Sequence, residues 1–596
     1  MIDSGADRSL AVEAVLSDLQ GRTVHLALDG VTTTTRLRSR SNVLTPEDLV
    51  DVDAILAFEA AARTAVDDFL RTLSGGPAIT MVLGPAAVPT IDRAMLVRWL
   101  TRALTARRAV ELLSTAGVDV ARGQQASTWD PTRYEHTNAD DLSRVLTPIT
   151  LGSSAPRIAP HTERPSIGAA PRMTLERMQD LIARRSARST RLARGSVVAA
   201  MFVLEMTRHA DELADLANHR LPLVLVPFDG PYRSRYRKAR KLSGKLGHPA
   251  LIPIPVRRRA RARHAATLSA SVERARTVLD CGARPPDDPL RLLGVVAPML
   301  AGRWAAMTTD WEQWRDLWSR TAPALVVTAR STPGSSIPLH AAAAVEVPAV
   351  SLPHAMAEPG LELPGHPLVR HLTPFAVSGS DRSDGWVATP HAVLDREYRR
   401  AIEALPRTSV TARPHVLILV DPSALLGRGA LRSLRSLRAL MGFIRQHPKL
   451  GFVLKDHPSN TLVADLVADD APENLHIAGP RTCLHASLEQ CSAVLLFEYA
   501  GSAALHAAGS GRPLARLDLG GHFEVSRSAV DRRWLTFIDR LPLLSGLSAL
   551  DEFLAGVVGN LGTSGPPDGG EALEVFASFG PSISEVAATL GASRGR

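Results

Sequence analysis

Three short segments in the last third of this 596-residue sequence carry residue types that bind phosphate. The first, Lys455-Asp456-His457-Pro458, offers an ammonium and an imidazole two residues apart, in a turn that the proline restricts. Cationic and donor groups at this spacing can hold the oxygens of one phosphate. We therefore predict that Lys455 and His457 bind a phosphate group, although a surface loop with incidental charges has the same composition.

The second segment runs from Glu498 to Ser502 and opens a predicted helix. Glycine lets the backbone approach an anion closely, and the start of a helix offers free N–H groups. This favours Gly501 and Ser502 as a cradle for phosphate, with Glu498 holding ribose hydroxyls. An ordinary helix cap explains the serine equally well, and an exposed surface acid explains the glutamate.

The third segment is the loop Asp421–Gly429, which follows another predicted strand. It contains glycines and precedes a helix, but it matches neither the dinucleotide-binding nor the Walker pattern. His354 follows another apolar run, and imidazole titrates near neutral pH, so this residue is a candidate general base. A packed or capping histidine is the alternative.

The hydrophobic pattern predicts the elements that position these residues. In the last third of the chain, five short apolar runs alternate with amphipathic stretches, which indicates a doubly wound parallel sheet. The predicted strands are His415–Val420, Gly451–Lys455, Asn474–Ala478, Ala493–Phe497 and Pro513–Asp518. Ligands bind at the carboxyl ends of such strands, where all three segments fall.

The rest of the chain predicts two more units. Alternating strand and helix patterns between Ser196 and Leu352 indicate another parallel sheet, and the first 150 residues combine strands at Thr23–Leu28 and Ala78–Leu83 with two long helices. The predicted fold is α/β, with two Rossmann-like doubly wound lobes and an additional N-terminal α/β unit. The predicted boundaries are 1–150 for the N-terminal accessory unit, 151–172 for a linker, 173–375 for the first lobe, 376–560 for the nucleotide-binding lobe and 561–596 for a tail with a short helix.

Charge narrows the classes of partner. The net charge is +9, and Arg233–Arg263 contains twelve Lys or Arg residues and no acid. Such a stretch attracts an anionic membrane surface or an acidic substrate, or it forms a solvated face beside a loop. The only aromatic residues within or beside this stretch are Tyr232 and Tyr236, and no nucleic-acid-binding motif occurs. We therefore expect no nucleic-acid partner.

Cysteine usage and the N-terminal sequence indicate a reducing compartment. Cys281, Cys483 and Cys491 match neither a disulfide framework nor a zinc pattern, and the N-terminal sequence lacks the pattern of a signal peptide. No uninterrupted apolar run reaches the roughly 18 residues of a membrane span. We expect a cytoplasmic location, peripheral to the inner face of the membrane at most, and no metal site.

The order of these motifs resembles the GT-B glycosyltransferase superfamily, in particular the CDP-glycerol glycerophosphotransferases and capsular polysaccharide transferases of bacterial envelopes. The resemblance covers about Pro323 to Asp518. It implies a nucleotide-linked donor in the second lobe, a glycan or lipid-linked acceptor at the first, and metal-independent transfer without a cofactor.

The resemblance also implies a role for each matching residue. His354 corresponds to the base, although the family has glycine where Ala355 stands. The residues that correspond to donor-phosphate contacts are Lys455, His457, Gly501 and Ser502, and those placed against the nucleotide are Gly479, Arg481 and Glu498.

Three functions stay open at this point, since one fold hosts many chemistries. The first is an enzyme, a glycosyl or polyol-phosphate transferase that builds a cell-envelope polysaccharide or glycolipid. The second is a nucleotide-sugar epimerase of the same fold, which would act on the nucleotide sugar alone. The third is a non-catalytic glycan- or nucleotide-binding protein, which would bind without transfer.

Overall fold

The protein is described by a computed structural model that contains three groups of elements: two parallel sheets with their helices and a small N-terminal unit. The described residues are 23–24, 26–27, 44–75, 84–120, 142, 146–147, 151, 195–218, 222–227, 239–242, 244, 246, 250–251, 260–330, 333–353, 366–373, 385–388, 414–420, 430–456, 462–479, 482–497, 503–519, 532–559 and 581–593.

The N-terminal unit pairs two short parallel strands beside two long helices. Its elements are β1 (Thr23–Val24), α1 (Val52–Ser74), α2 (Arg93–Thr115) and β2 (Asp119–Val120). Asp51 begins α1 by accepting a hydrogen bond from the Ala54 amide, and Gly75 ends it with a φ of 71°, where glycine avoids strain. The two predicted helices and the start of the first predicted strand are confirmed, and the predicted strand Ala78–Leu83 lies outside the described residues.

The first lobe is built on seven parallel strands. They are β3 (Val197–Met201), β4 (Leu223–Pro227), β5 (Ala250–Leu251), β6 (Leu325–Arg330), β7 (Ala349–Pro353), β8 (Val369–Thr373) and β9 (Trp386–Ala388). The helices are α3 (Val203–Arg208), α4 (Ala210–Asn218), α5 (Ala260–Val278), α6 (Pro289–Thr321) and α7 (Pro333–Ala343). The strand order is β5-β4-β3-β6-β7-β8-β9, so the chain reverses direction across the sheet between β3 and β6.

The second lobe repeats this plan with six parallel strands. They are β10 (His415–Val420), β11 (Gly451–Lys455), β12 (Leu475–Ala478), β13 (Ala493–Phe497), β14 (Leu514–Leu517) and β15 (Leu543–Leu544). The helices are α8 (Ala430–Gln446), α9 (Leu462–Val467), α10 (Leu484–Gln490), α11 (Ala503–Gly509), α12 (Arg532–Asp539) and α13 (Leu547–Gly559). The order is β12-β11-β10-β13-β14-β15, with the reversal between β10 and β13.

Both sheets contain the strand order of the Rossmann fold, which runs 3-2-1-4-5-6 in order of appearance along the chain, and the first sheet extends it by a seventh strand, β9. The predicted α/β fold with two Rossmann-like doubly wound lobes and an additional N-terminal α/β unit is therefore confirmed. All five predicted strands of the second lobe are present. The structure adds β15, whose two residues are too few to show a hydrophobic period.

Each sheet is buried on both faces, as the second lobe shows. Val416, Ile418 and Val420 pack on one face of β10 with α8 and α13. Leu417 and Leu419 pack on the other face with α10, α11 and α12. Successive side chains of a strand point to opposite faces, so a sheet covered on both sides needs an unbroken apolar run.

Helix α6 joins the N-terminal unit to the first lobe. It spans 33 residues and packs in one continuous core with α1, α2, α5 and α7. Its Trp304, Trp311 and Trp318 side chains are fully buried. Among the described helices, α6 is the one whose length and composition would let it cross a membrane, but 72% of its most apolar stretch is buried inside the protein.

A buried ion pair fixes the position of α6 against the start of α2. The Asp92 carboxylate accepts hydrogen bonds from Arg303 Nε at 2.7 Å, from Arg303 Nη2 at 2.8 Å and from Trp304 Nε1 at 2.9 Å. Both charged side chains are fully buried. Burying a charge is tolerated only when the charge is paired and hydrogen-bonded, and here both conditions are met.

The helix α14 (Ile583–Ser593) returns to the first lobe after the chain has completed the second. It begins with a capping box, in which Ser582 and Glu585 exchange hydrogen bonds. Ser584 Oγ donates to Asp215 Oδ2 of α4 at 2.6 Å, and the apolar face of α14 packs against the first sheet's helices. The predicted helix of the tail is therefore present, and it belongs to the core of the first lobe.

We expect Asp92→Ala to lower the free energy of unfolding by about 3–5 kcal/mol, because it leaves the Arg303 guanidinium buried without its carboxylate. Urea unfolding followed by circular dichroism measures this loss. Arg108→Ala is the control, since its partner Glu111 lies on the same helix and both side chains are 51% exposed. We expect that substitution to cost about 0.5 kcal/mol or less. Equal costs for the two substitutions would show that the buried pair does not hold α6.

Candidate functional site

The carboxyl edge of the second sheet holds the two predicted site residues that the structure describes. Lys455 is the last residue of β11, and Gly479 directly follows β12. These strands are parallel to β10 and β13, so their carboxyl ends meet at one edge. The other predicted residues lie outside the described residues, and their roles stay predictions: His354, His457, Arg481, Glu498, Gly501 and Ser502.

The alternation of β11 places Lys455 on the face covered by α10 and α11. Phe452 and Leu454 pack on the opposite face, in the core with α8, whereas Val453 packs beside α10. Lys455 lies two residues after Val453 and therefore shares its face. Only 5% of the lysine residue is exposed, at the end of an apolar strand.

Lys455 differs from Arg512 and Arg516, the other buried cations of this lobe, in making no hydrogen bond or ion pair with a described residue. Arg512 donates hydrogen bonds to the carbonyl oxygens of Cys491, Ser510 and Glu489. Arg516 donates to the Leu541 carbonyl and pairs with Asp539. Within the described part of the chain, the Lys455 side chain makes no hydrogen bond or ion pair.

The electrostatic surroundings of Lys455 oppose its charge. Burial lowers the pKa of the Lys455 ammonium, and the nearby Cys483 and Asp456 offset part of this shift. A buried ammonium with a lowered pKa gains from any anion that approaches it, because the anion replaces the lost hydration. Unpaired buried charges of this kind concentrate at binding sites.

The Asp456 side chain lies on the opposite face of the sheet from Lys455, towards α9, and has a structural role. Its Oδ2 accepts a hydrogen bond from the Ala464 amide at 2.7 Å, which ties α9 to the end of β11. Burial raises the pKa of Asp456 to about 6, and Asp465 adds to the shift. Its Oδ1 is buried and has no hydrogen-bond partner among the described residues. Asp456 thus holds together the two flanks of the segment that contains His457.

Three more side chains lie on the same face as Lys455. Cys483 begins α10 and is exposed, and its Sγ lies 3.8 Å from Nδ1 of His485. Burial lowers the pKa of His485, and burial together with His485 lowers the pKa of His506 in α11 to about 3. Both imidazoles are therefore uncharged at neutral pH, and Lys455 is the cation of this described cluster.

A tight turn connects β12 to this cluster. The Gly479 carbonyl accepts a hydrogen bond from the Thr482 amide at 2.9 Å, and Cys483 follows directly. A Cβ atom on Gly479 would meet the Thr482 hydroxyl at 3.7 Å, which is ordinary contact, so the turn does not require glycine. The predicted role of Gly479 at a nucleotide therefore rests on its position at the strand end.

The structure brings Cys483, His485 and His506 together with Lys455, which the sequence analysis did not predict. Two features of the sequence could have indicated this grouping. Cys483 and His485 come soon after a predicted strand, and Lys455 lies two residues after Val453, so it falls on the same face of its strand as that valine. Their convergence also depends on α10 and α11 packing side by side, which no local pattern reveals.

The first lobe presents a second polar cluster near the carboxyl end of β3. His209 is buried, with its Nε2 3.9 Å from Glu205 Oε2 and its Nδ1 3.6 Å from Glu212 Oε1. The cluster adjoins the point where the first sheet reverses direction, which is where doubly wound sheets bind ligands. Across the described residues, no group of three or more His, Cys, Asp or Glu side chains is placed to hold a metal ion.

We expect the stability of the protein to fall, relative to Asp456→Asn, as pH rises from about 4 to 7, by about 1–3 kcal/mol. The folded-state pKa of Asp456, about 6, lies above the ordinary value of 3.8. The stability from its proton is therefore complete below the ordinary value and is lost as pH rises through 6. Urea unfolding at each pH measures the difference. Glu473→Gln, which removes an exposed acid, should track the wild type, and a constant difference for Asp456→Asn would contradict the shift.

No known protein-family profile and no curated protein sequence matches this chain. Several solved structures are similar to it. The UDP-GlcNAc 2-epimerase from Neisseria meningitidis bound to UDP-GlcNAc is 12% identical with a TM-score of 0.39, over 67% of this chain and 100% of that one. MurG from Acinetobacter baumannii is 12% identical with a TM-score of 0.36, over 67% and 99%. The calicheamicin glycosyltransferase CalG4 is 10% identical with a TM-score of 0.35, over 67% and 96%. The fold assignment rests on the strand orders of the two sheets and takes nothing from these similarities.

Proposed function

We propose that the carboxyl edge of the second sheet binds the diphosphate of a nucleotide-activated donor. The protein then transfers a glycosyl or polyol-phosphate group from this donor to an envelope glycan or a lipid-linked acceptor. The observation that carries the proposal is the buried Lys455 ammonium, which ends a strand at the ligand-binding edge and has no partner among the described residues.

The charge of Lys455 suits both the binding and the chemistry of such a donor. A diphosphate brings negative charge to the ammonium and offsets the cost of its burial. When the bond between the transferred group and the diphosphate breaks, further negative charge develops on the leaving nucleotide. A fixed cation in a site shielded from water stabilises that charge strongly.

The remaining site residues complete the proposal by their positions in the chain. His354 directly follows β7 and would deprotonate the acceptor hydroxyl. His457, Gly501 and Ser502 would join Lys455 at the donor phosphates. Around the nucleotide the proposed contacts are Gly479, Arg481 and Glu498. No cofactor is proposed, since the donor itself carries the activated group.

We expect Lys455→Met to weaken nucleoside-diphosphate binding by about tenfold to a hundredfold, the value of a hydrogen bond to a charged group. Isothermal titration with UDP, GDP, CDP and dTDP measures the loss. Lys449→Met is the matched control, because this lysine is exposed and precedes β11 at the opposite edge of the sheet. Equal affinity of Lys455→Met and the wild type would overturn the phosphate role.

The melting temperature of ligand-free Lys455→Met separates a binding role from a structural one. Methionine keeps the aliphatic stem and removes the buried charge, so we expect the variant to melt at or above the wild-type temperature.

A separate variant, His354→Ala, should keep nucleotide affinity and lose transfer. Turnover of the nucleotide sugar without an acceptor would indicate an epimerase instead, and binding without any turnover would indicate a non-catalytic protein.

The proposal also includes a peripheral place at the inner face of an anionic membrane, through Arg233–Arg263. We expect the protein to sediment with phosphatidylglycerol vesicles at low salt and to be released at high salt, because each basic residue near the surface contributes about 1 kcal/mol. Replacing Arg257, Arg258 and Arg259 by Glu should abolish sedimentation. Equal sedimentation with neutral phosphatidylcholine vesicles would contradict an electrostatic attachment.

A further inference from the structure

The one exposed thiol of the protein lies beside the buried cation of the candidate site. Of the three cysteines, Cys281 and Cys491 are buried and Cys483 is exposed. Cys483 follows the turn after β12, and its sulfur is close enough to Lys455 to interact electrostatically with the ammonium. His485 lies on the other side, with its Nδ1 3.8 Å from the sulfur.

This arrangement matters because the thiolate, and not the thiol, is the reactive form of cysteine. The exposure of Cys483 admits a reagent to its sulfur. The Lys455 residue is only 5% exposed and its side chain makes no hydrogen bond to a described residue, so its ammonium attracts anions from solution. A disulfide adduct on Cys483 and an anion bound at Lys455 therefore occupy the same space beside the ammonium.

We infer that Cys483 is a modification site for small-molecule disulfides, and that its modification and anion binding at Lys455 exclude one another. The identity of the anion as a nucleotide diphosphate rests on the proposed function. The exclusion itself requires only that an anion occupies the surroundings of Lys455.

The exchange step is balanced without any other reactant. The Cys483 thiolate attacks one sulfur of the disulfide R–S–S–R, the S–S bond breaks, and a new bond forms between Sγ and that sulfur. The second R–S⁻ leaves with the electron pair. The proton that Cys483 lost on ionisation goes to solvent, where it can meet the departing thiolate. A free thiol added afterwards reverses the exchange.

The two buried cysteines act as internal controls for this chemistry. Burial raises the pKa of Cys491 to about 12, and burial also raises the pKa of Cys281. Gly294 packs tightly against Cys281: a Cβ atom on the glycine would lie 2.7 Å from the Cβ atom of Cys281. In the folded protein we therefore expect reaction at Cys483 alone, and at all three thiols only after denaturation.

The test uses the aromatic disulfide DTNB as the probe and the full-length protein. We expect the folded wild type to release one equivalent of coloured thiolate and Cys483→Ser to release none. Pyrophosphate or a nucleoside diphosphate at ten times its dissociation constant should slow the reaction about tenfold, as competition requires. Protein modified at Cys483 should lose nucleotide affinity at least about tenfold, which corresponds to loss of a charged contact. Dithiothreitol should restore it. Cys483→Ser should bind nucleotides normally with or without the probe.

The outcomes separate this inference from the proposed function. If saturating nucleotide leaves the rate unchanged and modified protein still binds it, the exclusion is overturned while the donor site stands. If pyrophosphate protects Cys483 and no nucleoside diphosphate protects it better, the exclusion stands and the nucleotide assignment fails. If no anion protects the thiol, the exclusion is overturned, and titration of Lys455→Met then decides the proposed function independently.

Discussion

A parallel sheet that is covered by helices on both faces leaves little room for a charge along its strands. In β10 every described side chain after His415 packs into one of two apolar cores, and a cation in such surroundings needs a partner. Arg516 meets this constraint with a backbone carbonyl and a carboxylate, whereas Lys455 meets it only in part, by ending its strand. The carboxyl edge is thus where the fold can keep an unpaired charge, and the rest of the candidate site is arranged around that position.

The surroundings of Lys455 divide the work between the two faces of the sheet. Asp456 turns to the face of α9 and fastens that helix through the Ala464 amide, so it contributes to the shape of the site. Lys455 turns to the face of α10 and α11, where Cys483 and His485 lie. Two neighbouring residues with opposite charges therefore act on different elements, because successive side chains at the end of a strand point to opposite faces of the sheet.

The strands of the second lobe could be predicted from the sequence because doubly buried strands are continuous apolar runs with clear ends. The two-residue strands β5 and β15 have no such run, and their pairing is visible only in the folded sheet. Lys455 was predictable from its place at the end of a strand. The grouping of Cys483 with it was not, since it depends on helices that meet through tertiary packing. The capping of α9 by Asp456 likewise joins residues across a loop, at a spacing that no periodic pattern encodes.

The return of α14 to the first lobe has a consequence for how the chain folds during synthesis. The ribosome makes α14 only after the whole second lobe, so the second lobe's strands are all available to pair before the first lobe is complete. Until then, the apolar groove that receives Ile583, Val586 and Leu590 stays open to water beside α4. A nascent first lobe with an uncovered apolar surface is the kind of species that chaperones bind. The order of elements along the chain therefore makes all described elements of the second lobe available before the last helix of the first lobe.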